Sequence, residues 1–118
     1  MAREINSPRL ISSALLALAE IQVLGNDSQG ALTNAQQAQQ IFERAGEQDS
    51  EWRSWLISAR ANEVVGNKSA AKESATRADS LCAGLEQKWG KDAYGGYLQR
   101  PDIQNYRRDL SQLLARSK

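Results

Sequence analysis

The stretch WLISARANEVVGNKSAAKESATRA, residues 55–78, decides how the chain reads. Set back by 40 residues, it falls on LLALAEIQVLGNDSQGALTNAQQA, residues 15–38. The offset superimposes Leu16 on Leu56, Ala19 on Ala59, Ala31 on Ala71, Ala35 on Ala75 and Ala38 on Ala78. It also puts Leu15 on Trp55, Asn26 on Gly66, Asp27 on Asn67, Ile41 on Leu81 and Phe42 on Cys82. Each segment reads as two helices around a short turn. Residues that tolerate a left-handed conformation end the first helix, and an Asp or Asn caps the second. Ala at 31, 35 and 38, and again at 71, 75 and 78, forms a small-residue stripe that lets paired helices pack at short distance. Matching turns and matching stripes at one offset favour a helical-hairpin repeat over a plain four-helix bundle with chance similarity.

Outward from this core, helix punctuation is clear. Ser7-Pro8 predicts the start of a helix that runs to about Leu24. Asp27 or Ser28 caps a second, ending near Ala45 at Gly46, and Asp49 or Ser50 caps a third, which carries Trp52, Trp55, Leu56, Ala59, Val64 and Val65. Asn67 opens a fourth, reaching through Leu81, Cys82 and Leu85 towards Trp89. Gly95-Gly96, between Tyr94 and Tyr97, reads as a turn. Pro101 opens a last helix with Ile103, Tyr106, Leu110, Leu113 and Leu114 at helical spacing. Nothing alternates with strand period, so the expected class is all-α, as a single domain: one unit over about 8–45, a second over about 50–88 and a carboxyl-terminal cap over about 89–118.

Composition narrows the chemistry. The chain has 118 residues, 15 Lys and Arg against 14 Asp and Glu, and a net charge of +1, so no nucleic acid partner is expected. Residues 88–118 carry seven basic side chains against three Asp, which reads as a solvated cap helix facing, at most, an acidic partner. The absence of His removes the commonest general base and metal ligand. One Cys excludes an intrachain disulfide and a Cys-cluster zinc site. No catalytic residue, cofactor or metal is therefore expected. Arg3 and the apolar run Leu10 to Ala19 imitate a secretory signal, but Glu4 and Pro8 fit that poorly and the run recurs as part of a repeat unit. No run approaches the roughly 20 apolar residues that span a bilayer. The expectation is a soluble, cytoplasmic protein without membrane contact.

Single residues that invite a chemical reading have plainer ones. Trp55 stands in the slot of a packing residue, Trp52 faces a neighbouring helix or a partner, and Trp89 anchors the tail. Cys82 aligns with Phe42 on an apolar face, as a buried inert thiol would. The pairs Asp49 with Glu51 and Glu43 with Glu47 fall at helix ends or on a solvated face, where they serve capping and solubility.

Trp55, Ala59, Gly66, Ala71 and Ala78 have the spacing of the tetratricopeptide repeat, and Leu15, Ala19, Asn26, Ala31 and Ala38 keep it. On these residues the chain resembles that family over about Ser7 to Leu85. It departs in having Ala35 and Ala75 where an aromatic is usual, and in lacking the closing Pro. Leu85 to Gly90 and Tyr97 to Ile103 look like the tail that closes the repeat arrays of some large bacterial regulatory proteins. That likeness implies the carboxyl-terminal piece of a longer protein. The resemblance as a whole implies antiparallel hairpins in a right-handed α-solenoid with a capping helix, acting as a non-catalytic scaffold.

By the same resemblance, the first helices of the two units line a concave surface for a protein or peptide partner, or another domain of the parent protein. The positions implied as exposed there are Ser13, Leu16, Glu20 and Val23 in the first unit, and Arg53, Leu56, Arg60 and Glu63 in the second. Leu16 and Leu56 stand where the family's carboxylate clamp has Lys, which argues against a chaperone-tail receptor. A runner-up is a ligand-sensing domain that binds a small molecule between helices near Trp52 and Trp89. An exposed apolar side of the first helix, with Leu10, Ile11, Leu15 and Leu18, predicts a homo-oligomer or docking onto an upstream segment.

Overall fold

Both turns of the repeat close with the same backbone bonds. The N–H of Gly25 donates to the Ile21 carbonyl and that of Asp27 to Gln22; 40 residues on, Val65 donates to Ala61 and Asn67 to Asn62. Asn26 has a φ of 68° where Gly66 has 88°, the left-handed conformation that the sequence assigned to this turn. The structure, a computed structural model, describes residues 8–116, which form six helices and no strand. They are α1 (Pro8–Leu24), α2 (Ser28–Ala45), α3 (Gln48–Val64), α4 (Lys68–Trp89), α5 (Lys91–Leu98) and α6 (Pro101–Arg116). The expected Ser7 cap, Arg3, Glu4 and Lys118 lie outside the described residues.

Asp27 caps α2 by accepting from the Gly30 N–H, and Asn67 caps α4 by accepting from Ala70. Gly46, at φ 72°, closes α2. Two local expectations differ. The residue capping α3 is Glu47, which makes no side-chain cap bond, so α3 begins ahead of Asp49 and Ser50. Gly95 and Gly96 lie inside the short helix α5. Two glycines disfavour a helix by about 1 kcal/mol each, but Tyr94, Tyr97 and Leu98 on α5 pack against the core and outweigh that cost.

The packing runs α1 on α2, α2 on α3, α3 on α4, with α6 against α3 and α4. The four Ala pairs joined by the 40-residue offset are buried in both units: Ala19 and Ala59, Ala31 and Ala71, Ala35 and Ala75, Ala38 and Ala78. Phe42 and Cys82 share a buried slot in the same way. Two apolar clusters result. One gathers Leu16, Val23, Phe42, Ile57 and the first Ala stripe. The other gathers Trp52, Leu56, Cys82, Leu85, Ile103, Leu110 and Leu113. Helix α3 supplies residues to both, which is why it is buried over most of its circumference. Full burial of a side chain such as Phe42 or Leu56 contributes about 1.5–3 kcal/mol.

Candidate functional site

Helices α1, α3 and α6 meet around a depression of about 270 Å³, with Phe42 of α2 in its wall. Ser13, Leu16, Ala17 and Glu20 come from α1, Ser50 and Arg53 from α3, and Tyr106 from α6. The Tyr106 hydroxyl donates to Glu20 Oε1 at 2.9 Å. Its ring stands edge-on to Trp52, with centroids 6.3 Å apart, and the Arg53 guanidinium lies 5.9 Å from its centre. Arg53 is steadied from its own helix, donating to the Asp49 carbonyl and the Ser50 hydroxyl, each at 3.3 Å. Burial, and then the bond to the Glu20 carboxylate, hold the Tyr106 phenol above its ordinary pKa, so it stays a donor. Two turns further along α3 and one along α6, Arg60 pairs with Asp109 at 3.8 Å, a second tie between the two helices.

Of the eight residues expected on this surface, Ser13, Leu16, Glu20 and Arg53 line the depression. Arg60 is half-buried beside Asp109, and Glu63 is half-buried near the end of α3. The exposure expected for Leu16, Val23 and Leu56 is corrected: all three are buried. Val23 and Leu16 close the first cluster, and Leu56 sits in the second beneath α6, so their apolar surface is spent inside the molecule. Sequence reasoning missed Tyr106 and Asp109 as parts of the site. Tyr106 was visible only as a member of the apolar stripe of the last helix, and its hydroxyl gave no signal of a partner on α1.

The region between Trp52 and Trp89 is filled from within. Trp52 is fully buried, and its indole N–H donates to the Tyr97 hydroxyl at 2.9 Å. Trp89 packs edge-on against the Tyr97 ring at 5.0 Å. Burial raises the Tyr97 pKa, with the Trp52 bond opposing it. Trp55, the residue in the repeat slot, is only half-buried and carries the Arg77 guanidinium 5.3 Å over its ring.

Glu51 lies in the first turn of α3, at a helix end as expected, but it is not solvated. It is 7% exposed, and its Oε2 accepts from the Gln39 amide at 2.9 Å and from the Trp55 indole at 3.2 Å. It lies at the floor of a groove of about 440 Å³ that Glu43, Trp55, Arg77 and Leu81 also line. Cys82 is buried beside the Tyr94 hydroxyl, and burial pushes its thiol up in pKa. Among the described residues no cluster of three or more His, Cys, Asp or Glu could hold a metal. Nor is any helix there long and apolar enough to cross a membrane.

What the site contains, then, is donors, acceptors and one aromatic face on three helices. No protein-family model, curated protein or solved structure matches the chain.

Proposed function

We propose that this chain is a non-catalytic interaction module of tetratricopeptide type, an α-solenoid of two hairpin units and a carboxyl-terminal cap. Its concave side takes a segment of a partner protein, as part of a larger cytoplasmic signalling or regulatory protein. The observation that carries the reading is the Glu20–Tyr106–Arg53 cluster, in which three helices separated in sequence bring a carboxylate, a phenol and a guanidinium to one depression. Such a set selects a segment by hydrogen bonds and charge, in a depression walled by the buried Leu16 and Phe42. The small-molecule alternative near Trp52 and Trp89 has less in its favour, because Tyr97 takes up the space between those rings.

The test is selection of binders from a displayed random-peptide library on the intact chain. Selected peptides should lose about tenfold or more in affinity to Arg53→Ala, while Arg77→Ala, on a different groove, leaves them unchanged. Peptides indifferent to Arg53→Ala, or a library that yields no binders, would overturn the concave-side assignment.

A further inference from the structure

Helix α1 is apolar nearly all the way round. One side, with Leu16, Ala19 and Val23, is buried in the first cluster. Leu10, Ile11, Ala14, Ala17, Leu18, Ile21 and Leu24 follow one another at steps of one and three residues, which sets them on a single continuous outer arc. That arc holds no charged residue. Its large side chains are exposed: Leu10 53%, Ile11 41%, Leu18 45%, Ile21 66% and Leu24 74%. Together they leave roughly 500 Å² of apolar surface, towards the upper end of the largest patch on an ordinary monomer, and such patches are often functional. A helix that is apolar on its core side and on its outer arc, with Ser13 and Glu20 between them, has a second face to bury.

The repeat identifies the kind of surface. The offset that equates the two units places Ile11, Ala14, Ala17, Leu18 and Ile21 on Glu51, Ser54, Ile57, Ser58 and Ala61 of α3. All five of those are buried. So the outer arc of α1 occupies the positions that in the second unit form a packed interface. The chemistry of the two differs. On α3 the interface includes Glu51, which needs the amide of Gln39 opposite it. On α1 the same positions are Ile, Ala and Leu, which ask only for another apolar, uncharged face.

We propose that a second copy of this chain supplies that face, the two α1 helices packing across a two-fold axis. An uncharged apolar arc meets its own copy with no like-charge repulsion, and Ala14 at its centre lets the two backbones approach. The far end of the chain offers no equivalent acceptor, because Cys82 and Leu85 on α4 are already covered together with Ile103, Leu110 and Leu113 of α6. The contact is therefore isologous and closes at two copies. Beside the arc, a groove of about 410 Å³ lined by Ile11, Ile41, Arg44 and Ala45 opens at the same edge and can take a leucine of the partner. Two arcs bury roughly 1,000 Å², where specific interfaces begin, which fits a dimer in the micromolar range.

Sedimentation equilibrium of the intact chain from about 5 to 500 µM should show a monomer–dimer equilibrium. Leu18→Glu and Ile21→Lys should each weaken it about tenfold or more at unchanged helical circular dichroism. Ala14→Cys should form an interchain disulfide on mild oxidation, with the wild-type chain, whose Cys82 is buried, as the control. A folded monomer throughout that range overturns the proposal, and so does a dimer that Leu18→Glu leaves intact. A monomer that instead takes up a synthetic peptide of residues 28–45 would give the face to a repeat-type helix and not to a second copy.

Discussion

The Tyr106 hydroxyl donates to Glu20 across 2.9 Å, joining the last helix to the first over 86 positions of sequence. The bond is part-buried, and the phenol ring beneath it also meets Trp52 and Arg53. Tyr106→Phe keeps the ring and removes the donor, so it should cost about 1 kcal/mol in urea unfolding. Tyr106→Ala removes both and should cost about 2–3 kcal/mol. A double-mutant cycle with Glu20→Gln isolates the pair; zero coupling would dismiss the bond as a contributor.

Helix α5 contains two glycines that nothing requires. A Cβ at Gly95 or at Gly96 meets no atom within 4 Å. Gly95→Ala and Gly96→Ala should each stabilise the chain by about 0.5–1 kcal/mol, read as a rise in the urea midpoint. Gly46 is the contrast. Its space is open too, but its φ of 72° is strained for a side chain, so Gly46→Ala should destabilise by about 1 kcal/mol. Equal signs at all three positions would contradict this account of α5.

Two buried polar residues, Ser58 on α3 and Gln39 on α2, should respond in opposite directions. The Ser58 hydroxyl is buried without a hydrogen-bond partner among the described residues. Ser58→Ala should therefore stabilise by about 1 kcal/mol. Gln39→Ala takes a donor from the buried Glu51 carboxylate and should destabilise by about 1–3 kcal/mol. Thermal melts of both variants decide the point.

Alkaline pH should unfold the chain through its tyrosines. Tyr94, Tyr97 and Tyr106 all have raised pKa values, in each case with burial as the largest cause. A raised folded-state pKa gives stability that is complete below the unfolded value near 10 and is lost as pH rises through the folded value. Stability should thus be flat with respect to these groups up to about pH 10 and fall above it. Phenolate absorbance in the folded protein should appear later than in the urea-unfolded chain; coincident titrations would contradict the burial of these rings.

Much of the fold is legible because it rests on local rules. The left-handed turn residues Asn26 and Gly66, the caps Asp27 and Asn67, and the buried Ala pairs are all set by backbone geometry or by close approach of helices, and each leaves a residue type at a fixed position. Helix α5 was not legible. Two glycines argue for a turn, and only the packing of Tyr94, Tyr97 and Leu98, from outside the segment, overrides them. The site was half legible for a similar reason. Ser13, Glu20 and Arg53 follow from repeat position, whereas Tyr106 and Asp109 enter through a tertiary approach of α6 that no spacing encodes. Leu16, Val23 and Leu56 misled because an apolar residue on a first helix reads alike whether it meets a partner or its own core.

Helix α3 is the common wall of the two apolar clusters, giving Ile57 and Ala61 to one and Trp52, Leu56 and Ala59 to the other. Neither half can melt while the other stays whole, since loss of α3 strips both. Although two segments of the chain match at a 40-residue offset, the shared wall of α3 makes the two clusters lose their order together.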